Sequence, residues 1–138
     1  MRMVGKINTD IFKCITEDIT TDEVVLTDEL IEHIKKHHPG HFEEIFSYFE
    51  KAIFSPDYIL KDSGKNTGLI LKHIEENGIR MQLVIRIHTS SDDPEYKNSI
   101  ISAWKISETR WKNYLKNKQL LYKAELIWYN IHRIEVAV

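Results

Sequence analysis

Four of the seven histidines of the chain lie within nine residues, HIKKHHPGH, at positions 33–41. Imidazole binds transition metals and exchanges protons near neutral pH, so such a cluster can hold a metal ion or serve acid/base catalysis. A third interpretation is chemically inert: the side chains are solvated cations at a helix end, where the helix dipole favours positive charge. Each interpretation makes a different demand on the residues around the cluster.

The metal interpretation uses His33 and His37, which are four residues apart and therefore share one helix face, with His38 or His41 as a third ligand. A zinc protease of this spacing carries glutamate directly after the first histidine, but Ile34 stands there. Cysteine pairs and acidic runs at ligand spacing are also missing from the sequence. We therefore expect neither a metal site nor another cofactor.

The acid/base interpretation suits a nuclease that needs no metal. RNA can be cut by attack of its own 2′-hydroxyl on the adjacent phosphate, if the protein supplies a base, an acid and cations around the phosphorus. The candidates are His33 and His38 for proton transfer, Lys72 or Arg86 for the phosphate, and Ser102 as a hydroxyl donor. Residue types alone do not establish this set, because any chain with seven histidines offers one.

The segment VVLTDELIEHIKKHH predicts a short apolar strand and then a helix that begins after Thr27, whose hydroxyl suits an N-cap. Pro39 disfavours helical geometry in the residue before it, so this helix should end near His37 or His38. Continuing its apolar stripe by four residues from Ile34 places His38 toward the core. A second helix is predicted from about Phe42 to Ile53 by its aromatic spacing.

Strand periodicity begins at Tyr58 and continues through GLILKHIEENGIRMQLVIRIHTS, which has the pattern of a hairpin. A two-residue turn at Asn77-Gly78 would place Lys72 opposite Leu83, on the apolar face. Burying an ammonium without a partner is costly, so Lys72 should either reach the rim or face an anion in a cleft.

A further strand, NSIISAWKI, should carry Ile100, Ser102, Trp104 and Ile106 on one face, and Ser107 can cap the basic helix that follows. The tail, residues 124–138, could be helix or strand. The order of elements predicts a single α+β domain over residues 1–138, with N-terminal helices packed on an antiparallel sheet of about four strands.

Net charge is only −2, but residues 104–123 hold six bases against one acid, whereas residues 1–32 hold three bases against eight acids. A solvated helix face explains the basic stretch as well as an anionic partner such as RNA does. The candidate RNA-binding residues are Arg86, His88, Lys97, Lys105, Arg110 and Lys112. Without a long apolar run or a signal-peptide pattern, and with Cys14 as the single cysteine, we expect a cytoplasmic protein that does not contact the membrane.

Three segments together resemble a known family. LTDELIEHIKKHHPGHF is similar to the pattern T-x-x-x-I-x-H-I-x-x-R-H-P, SPDYILKD is similar to N-P-D-Y-I, and YKNSIISAWKI is followed closely by YLKNKQLLYK. Over residues 26–123 the chain thus resembles the phage- and mobile-element-associated branch of the barnase/EndoU/colicin/RelE-like (BECR) nuclease superfamily. The resemblance implies helices packed on an antiparallel sheet and a metal-independent endoribonuclease, often a toxin or effector with a cognate immunity or antitoxin protein.

By position, the resemblance matches His33 and His38 to the paired family histidines, and it places Lys72 on a strand where such folds offer a basic residue. Two departures bear on activity: His37 stands where the pattern has arginine, and Ser102 where the family's strand tends to carry threonine. They keep an alternative open, a non-catalytic RNA- or protein-binding module on a degenerate nuclease fold.

Overall fold

The structure is a computed structural model that describes residues 1–40 and 42–124. Within these ranges the chain forms seven strands and five helices. In chain order they are β1 (Arg2–Lys6), α1 (Thr9–Phe12), β2 (Glu23–Leu26), α2 (Asp28–His37), α3 (Phe42–Phe46), α4 (Phe49–Phe54), β3 (Tyr58–Lys61), β4 (Thr67–Ile74), β5 (Ile79–Arg86), β6 (Asn98–Lys105), α5 (Glu108–Asn117) and β7 (Leu120–Lys123). Most of the tail for which helix and strand were both open, residues 125–138, lies outside the described residues, as does His41.

The seven strands form one sheet in the order β1-β2-β6-β5-β4-β3-β7. The predicted α+β class is confirmed, but the prediction of about four antiparallel strands was wrong, because β2 and β6 pair in parallel and the sheet has seven strands. That parallel pairing aligns Val24 with Asn98, which are far apart in the chain, so no local pattern indicates it. The N-terminal segment supplies strands as well as helices.

Both faces of the sheet carry helices. The inner face packs on α1 to α4 through the main core, which includes Phe12, Leu30, Ile34, Phe42, Phe49, Ile53, Ile70, Met81, Leu83, Ile85 and Ala103. The outer face carries a smaller cluster of Leu60, Leu69 and Leu71, against which α5 packs with Trp111, Tyr114 and Leu115. The helix α5 covers only part of the outer face, and this leaves room for a site beside it.

Helix α2 follows its sequence signals closely. The Thr27 hydroxyl accepts a hydrogen bond from the Leu30 N–H, and the helix ends at His37, so both predicted boundaries are confirmed. The prediction that His38 continues the buried stripe of Ile34 was wrong, because His38 leaves helical geometry with φ −134 and ψ 64. The stripe therefore stops at Ile34, and His38 is exposed.

The second predicted helix is two short helices. α3 ends at Phe46 and α4 begins at Phe49, so the chain is not helical across the whole range from Phe42 to Ile53. The apolar spacing still held: Phe42, Phe49 and Ile53 are buried as the pattern predicts.

The hairpin of β4 and β5 differs from the prediction by two residues of register. Ile74 lies opposite Ile79, so four residues connect the strands, and Lys72 lies opposite Met81 rather than Leu83. A type I′ turn needs positive φ at both central residues, and among the described non-glycine residues only Asn66 has it. Because side chains along a strand alternate between the two faces of the sheet, a register shift of two residues leaves each side chain on its predicted face.

Lys72 therefore lies on the inner face, as predicted, and an anion faces it there. Its side chain is only 10% exposed, and its ammonium donates to the Ser55 carbonyl oxygen at 2.6 Å and to Asp57 Oδ1 at 3.2 Å. The second carboxylate oxygen of Asp57 accepts the backbone N–H of His73 at 2.7 Å. The lysine that looked out of place in the sequence is one half of a buried ion pair.

Replacing Asp57 with alanine should destabilise the fold strongly. The change leaves the buried Lys72 ammonium and the His73 N–H without their acceptor, and removing one partner of a buried ion pair costs about 3–5 kcal/mol. We expect a loss of that size in the free energy of unfolding, measured by urea denaturation. Adding Lys72→Met should restore much of the loss, because the uncompensated charge is then gone.

The matched control is Lys51→Ala, which breaks the exposed pair of Lys51 with Glu76, where the side chains are 54% and 70% exposed. Exposed pairs contribute about 0–1 kcal/mol, so this variant should unfold nearly as the wild type does. Equal effects of Asp57→Ala and Lys51→Ala would contradict a structural role for the buried pair.

Candidate active site

A β-bulge in β6 decides which of its side chains face outward. Ile85 pairs with Ile100, but the next pair along is Val84 with Ser102, so Ile101 is the extra residue of the bulge. Strict alternation would have put Ile100 and Ser102 on one face, and that prediction was wrong. Beyond the bulge Ala103 points to the core and Ser102 points to the outer face.

The residues that share this side of β5 and β6 form a surface that we call the outer patch: Gln82, Val84, Arg86, Ser99, Ser102 and Trp104. They are paired across the two strands as Gln82 with Trp104, Val84 with Ser102 and Arg86 with Ser99. Helix α5 borders the patch, since the Tyr114 hydroxyl donates to Gln82 Oε1 at 2.7 Å. Serine, arginine and tryptophan thus lie on one surface.

His38 reaches this surface from the end of α2. β2 pairs with β6 only as far as Ile100, so the following part of β6 is not flanked by that strand. There the His38 ring centroid lies 6.4 Å from that of Trp104, at an interplanar angle of 35°. The imidazole is exposed and makes no hydrogen bond to any residue that the structure describes. The structure therefore places His38 beside Trp104, which lies two residues after the predicted catalytic residue Ser102 on β6.

A carboxylate holds Arg86 in place beside Ser99. Arg86 Nη2 donates to Asp92 Oδ1 at 2.7 Å, and Asp92 Oδ2 accepts the Thr89 N–H at 2.9 Å. The Thr89 N–H and, after it, the Arg86 guanidinium lower the pKa of Asp92 to about 2. Among the described residues the guanidinium has no other hydrogen-bond partner, and the side chain is 42% exposed. Its remaining N–H groups can bind an anion.

The other two predicted catalytic residues lie elsewhere. Lys72 is on the inner face, with its ammonium held by Ser55 and Asp57. His33 is exposed on α2, where its ring centroid is 4.4 Å from that of His37. The structure does not bring either side chain to the outer patch.

Most of the remaining predicted RNA-binding residues already have partners. Lys97 pairs with Glu23, Lys105 with Glu44 at 3.1 Å and Lys112 with Glu108 at 3.1 Å. The hydrogen bonds from Lys97 and Lys112 lower the pKa of Glu23 and of Glu108. The pair with Glu108 is well exposed, so solvent competes with it and Lys112 keeps access to an anion.

His88 and Arg110 represent the two extremes of this set. His88 is buried, its ring nitrogens contact the Thr20 hydroxyl and the Asp93 carbonyl oxygen, and its role in the structure is to join three segments. Arg110 is exposed on α5 without a salt bridge to a described residue. Arg86 and Arg110 are thus the predicted binding residues best placed to meet an anion.

Sequence reasoning missed a second opening beside Asp57, which we call the Asp57 cleft. It has a volume of about 580 Å³ and is lined by residues that include Lys72, Tyr58, His73 and Trp111. The Trp111 ring meets the rings of Tyr58 and His73 edge-on, with centroids 5.9 and 6.3 Å away. Burial, and then the Asp57 carboxylate, raise the pKa of Tyr58. The segment SPDYILKD contained the signal, since it places an acid and a tyrosine together.

The described residues give little support for a metal site or for a reactive thiol. Residues 1–40 and 42–124 contain no group of three or more His, Cys, Asp or Glu side chains that could hold a metal ion. Cys14 is half-buried, and burial raises the pKa of its thiol, which disfavours the nucleophilic thiolate. None of the described helices is long and apolar enough to cross a membrane.

Comparison with known proteins gives one match, at the level of a family. Neither a curated protein nor a solved structure matches the chain. The family model described as phage-Barnase-EndoU-ColicinE5/D-RelE like nuclease2 matches residues 1–123, which include every strand and helix that the structure describes. The resemblance seen in the sequence is confirmed, and the chain belongs to this phage Barnase-EndoU-ColicinE5/D-RelE-like nuclease family.

Proposed function

We propose that the protein is a metal-independent endoribonuclease of a phage or mobile element, and that RNA is cut on the outer patch. One observation carries the proposal: in a chain of a nuclease family, the His38 imidazole stands beside Trp104 on the surface that also presents Ser102. A proton carrier, a hydroxyl and an arginine then lie along one surface.

The reaction needs two proton transfers and no metal. The 2′-oxygen forms a bond to phosphorus while the bond from phosphorus to the 5′-oxygen breaks. The 2′-hydroxyl loses a proton and the 5′-oxygen gains one, so the products are a 2′,3′-cyclic phosphate and a 5′-hydroxyl. His38 exchanges one of these protons, and an imidazole suits this because it titrates near neutral pH.

Charge on the pentavalent phosphate is balanced by Arg86 in this proposal. Its guanidinium is oriented by Asp92 and keeps N–H groups for the phosphate oxygens. Ser102 donates a hydrogen bond from the neighbouring strand, two positions along the same face from Trp104. The half-buried Trp104 ring offers a surface on which a base next to the cut can stack.

Lys72 and His33 lie away from the outer patch, so the proposal gives them less direct roles. Lys72 would have to leave Ser55 and Asp57 to reach a phosphate, so we assign the phosphate to Arg86 and a positioning role to Lys72. His33, the candidate for the second proton transfer, faces His37 in the structure, and its share in catalysis is best tested directly.

A non-catalytic RNA-binding module is the second candidate function. The observation that favours it is that, of the four predicted catalytic residues, only Ser102 belongs to the outer patch and only His38 lies beside it. Such a module would bind RNA through Arg86, Arg110 and the aromatic rings without turnover.

Replacing His38 with alanine should lower cleavage of single-stranded RNA by about 10²–10⁴-fold, the contribution of one general acid or base. The assay contains EDTA, and the appearance of 2′,3′-cyclic phosphate ends identifies the reaction. Affinity for an RNA analogue that lacks the 2′-hydroxyl should change much less, because binding depends on other groups.

The matched control is His37→Ala, which removes the neighbouring imidazole that packs on His33. It should cleave as the wild type does, and His33→Ala run beside it shows whether His33 takes part. Cleavage that needs a divalent metal, or that survives unchanged in His38→Ala, would contradict the assignment. RNA binding without cleavage by the wild type would favour the non-catalytic module.

The Asp92 carboxylate should stabilise the fold in a pH-dependent way. Its pKa is about 2 in the folded protein against an ordinary 3.8, so its stabilising effect is complete above about pH 4 and is lost as the pH falls through 2. The melting temperature of Asp92→Asn should lie below that of the wild type at pH 7, and the gap should narrow progressively toward pH 2. A gap that stays constant with pH would refute the ionised pair.

The control for this measurement is Glu95→Gln, which removes an exposed carboxylate from the same loop. Its melting temperature should track that of the wild type at each pH. Asp92→Asn should also cleave RNA more slowly at pH 7, since Arg86 loses the anion that orients it.

We also infer that the enzyme acts in the cytoplasm as a toxin or effector, opposed by an immunity or antitoxin protein. Expressed alone in a bacterial host, the wild type should slow growth, whereas His38→Ala should not. Equal growth with the two variants at equal protein levels would count against a toxin role.

A further inference from the structure

We propose that the Asp57 cleft is a subsite for one unpaired nucleobase of the strand that is cut on the outer patch. This inference rests on the proposed function, because it concerns the same nucleic acid. The cleft is about 580 Å³ in volume, which lies within the usual range of small-ligand sites. Its walls, its charges and its position relative to α5 each point to a flat, neutral, aromatic ligand.

The described residues that line the cleft include four aromatic side chains, Tyr58, His73, Trp111 and Tyr122. Trp111 meets Tyr58 at an interplanar angle of 79° and His73 at 66°, so these rings touch edge-to-face and are not stacked on one another. Trp111 and Tyr58 also pack against Leu60, Leu69 and Leu71, so the subsite that we propose uses only the parts of these rings that line the cleft. Proteins that read single-stranded RNA insert unpaired bases against such rings.

The base of the cleft offers polar groups of fixed position. The buried ion pair of Lys72 and Asp57 lies there, held by Ser55 and by the His73 backbone. The Tyr58 hydroxyl, whose pKa is raised by burial, can donate a hydrogen bond. A nucleobase has donors and acceptors along its edge that such groups can meet.

The charges in the cleft disfavour a phosphate as the occupant. Lys72 is held by the buried Asp57, and Lys51 lies 3.7 Å from Glu76 in an exposed pair. Glu75 adds a further carboxylate to the lining. A phosphate would meet more acids than available ammonium groups, whereas a neutral base carries no such penalty.

Helix α5 links the cleft to the outer patch. Trp111 faces the cleft, and Tyr114, three residues later, reaches Gln82 in the outer patch. Three residues of helix rise by about 4.5 Å, so one strand of RNA can lie against both openings. The exposed side of α5 carries Arg110, Lys112 and Lys116, which suit the phosphates of a strand that crosses it.

The test measures binding of two uncleavable strands. One is a 2′-O-methyl RNA of about 12 nucleotides, within the site sizes known for single-stranded binding, and the other has the same backbone without bases. Trp111→Leu should weaken binding of the first strand by about 5- to 150-fold, the equivalent of one base–aromatic stack of about 1–3 kcal/mol. Binding of the abasic strand, and the dependence of affinity on salt, should not change.

Two further variants separate stacking from folding. Trp111→Phe keeps an aromatic ring and should bind within a few-fold of the wild type, while Trp111→Leu keeps apolar volume and loses the ring. The matched control is Tyr96→Leu, which removes a tyrosine that is 63% exposed and lies outside the cleft. Circular dichroism confirms that each variant is folded before its affinity is compared.

The subsite is refuted if Trp111→Leu binds the base-containing strand as tightly as the wild type, or if the wild type binds both strands equally. The proposed function is judged separately, by cleavage in His38→Ala. A wild type that cleaves RNA while Trp111→Leu keeps full affinity refutes the subsite alone. Base-dependent affinity that Trp111→Leu loses, in a protein that cleaves no RNA, supports the subsite and contradicts only the catalytic role.

Discussion

The buried ion pair of Lys72 and Asp57 is the interaction on which the rest of the structure depends. The carboxylate of Asp57 binds the Lys72 ammonium and the His73 N–H, and its backbone N–H donates to the Leu71 carbonyl oxygen. Its own carbonyl accepts the N–H of Ala124, just after β7. One residue thus ties together β3, β4 and the end of β7. An apolar pair of similar volume could fill this space and would keep the two backbone hydrogen bonds, but it would leave the His73 N–H without its acceptor.

Two local irregularities, rather than regular elements, build the outer patch. The bulge at Ile101 turns Ser102 and Trp104 outward while Ala103 stays in the core. Pro39 follows His38, and His38 leaves helical geometry, so its ring meets Trp104 instead of the core. Without either irregularity the histidine and the serine would be directed into the apolar interior, where neither could contact a substrate. The same two features therefore expose the histidine and the serine at the surface of the protein.

The parts that the sequence predicted are those decided by neighbouring residues. Thr27 and Ser107 cap helices because their hydroxyls reach an N–H three residues on, and the buried face of β5 follows from alternation alone. Register, bulges and the parallel pairing of β2 with β6 depend on residues far apart in the chain, and they could not be predicted. The same holds for the candidate site. His38 and Ser102 could be proposed from their residue types and sequence positions. The separation of Lys72 from them could not, because it depends on which face of the sheet each side chain occupies. Whether any of these residues takes part in catalysis stays a prediction.

The position of the basic stretch at residues 104–123 in the fold adds information that its composition does not contain. Most of it lies on α5, where no side chain is fully buried and where Trp111, Tyr114 and Leu115 attach the helix to the outer face. Because α5 makes little apolar contact, hydrogen bonds at its edges help to hold it on the sheet. One of these is the bond from the Tyr114 hydroxyl to Gln82. Those edges are the borders of the outer patch and of the Asp57 cleft. Its exposed lysines and arginine therefore lie between the outer patch and the Asp57 cleft, the two places where we propose that a nucleic acid strand binds.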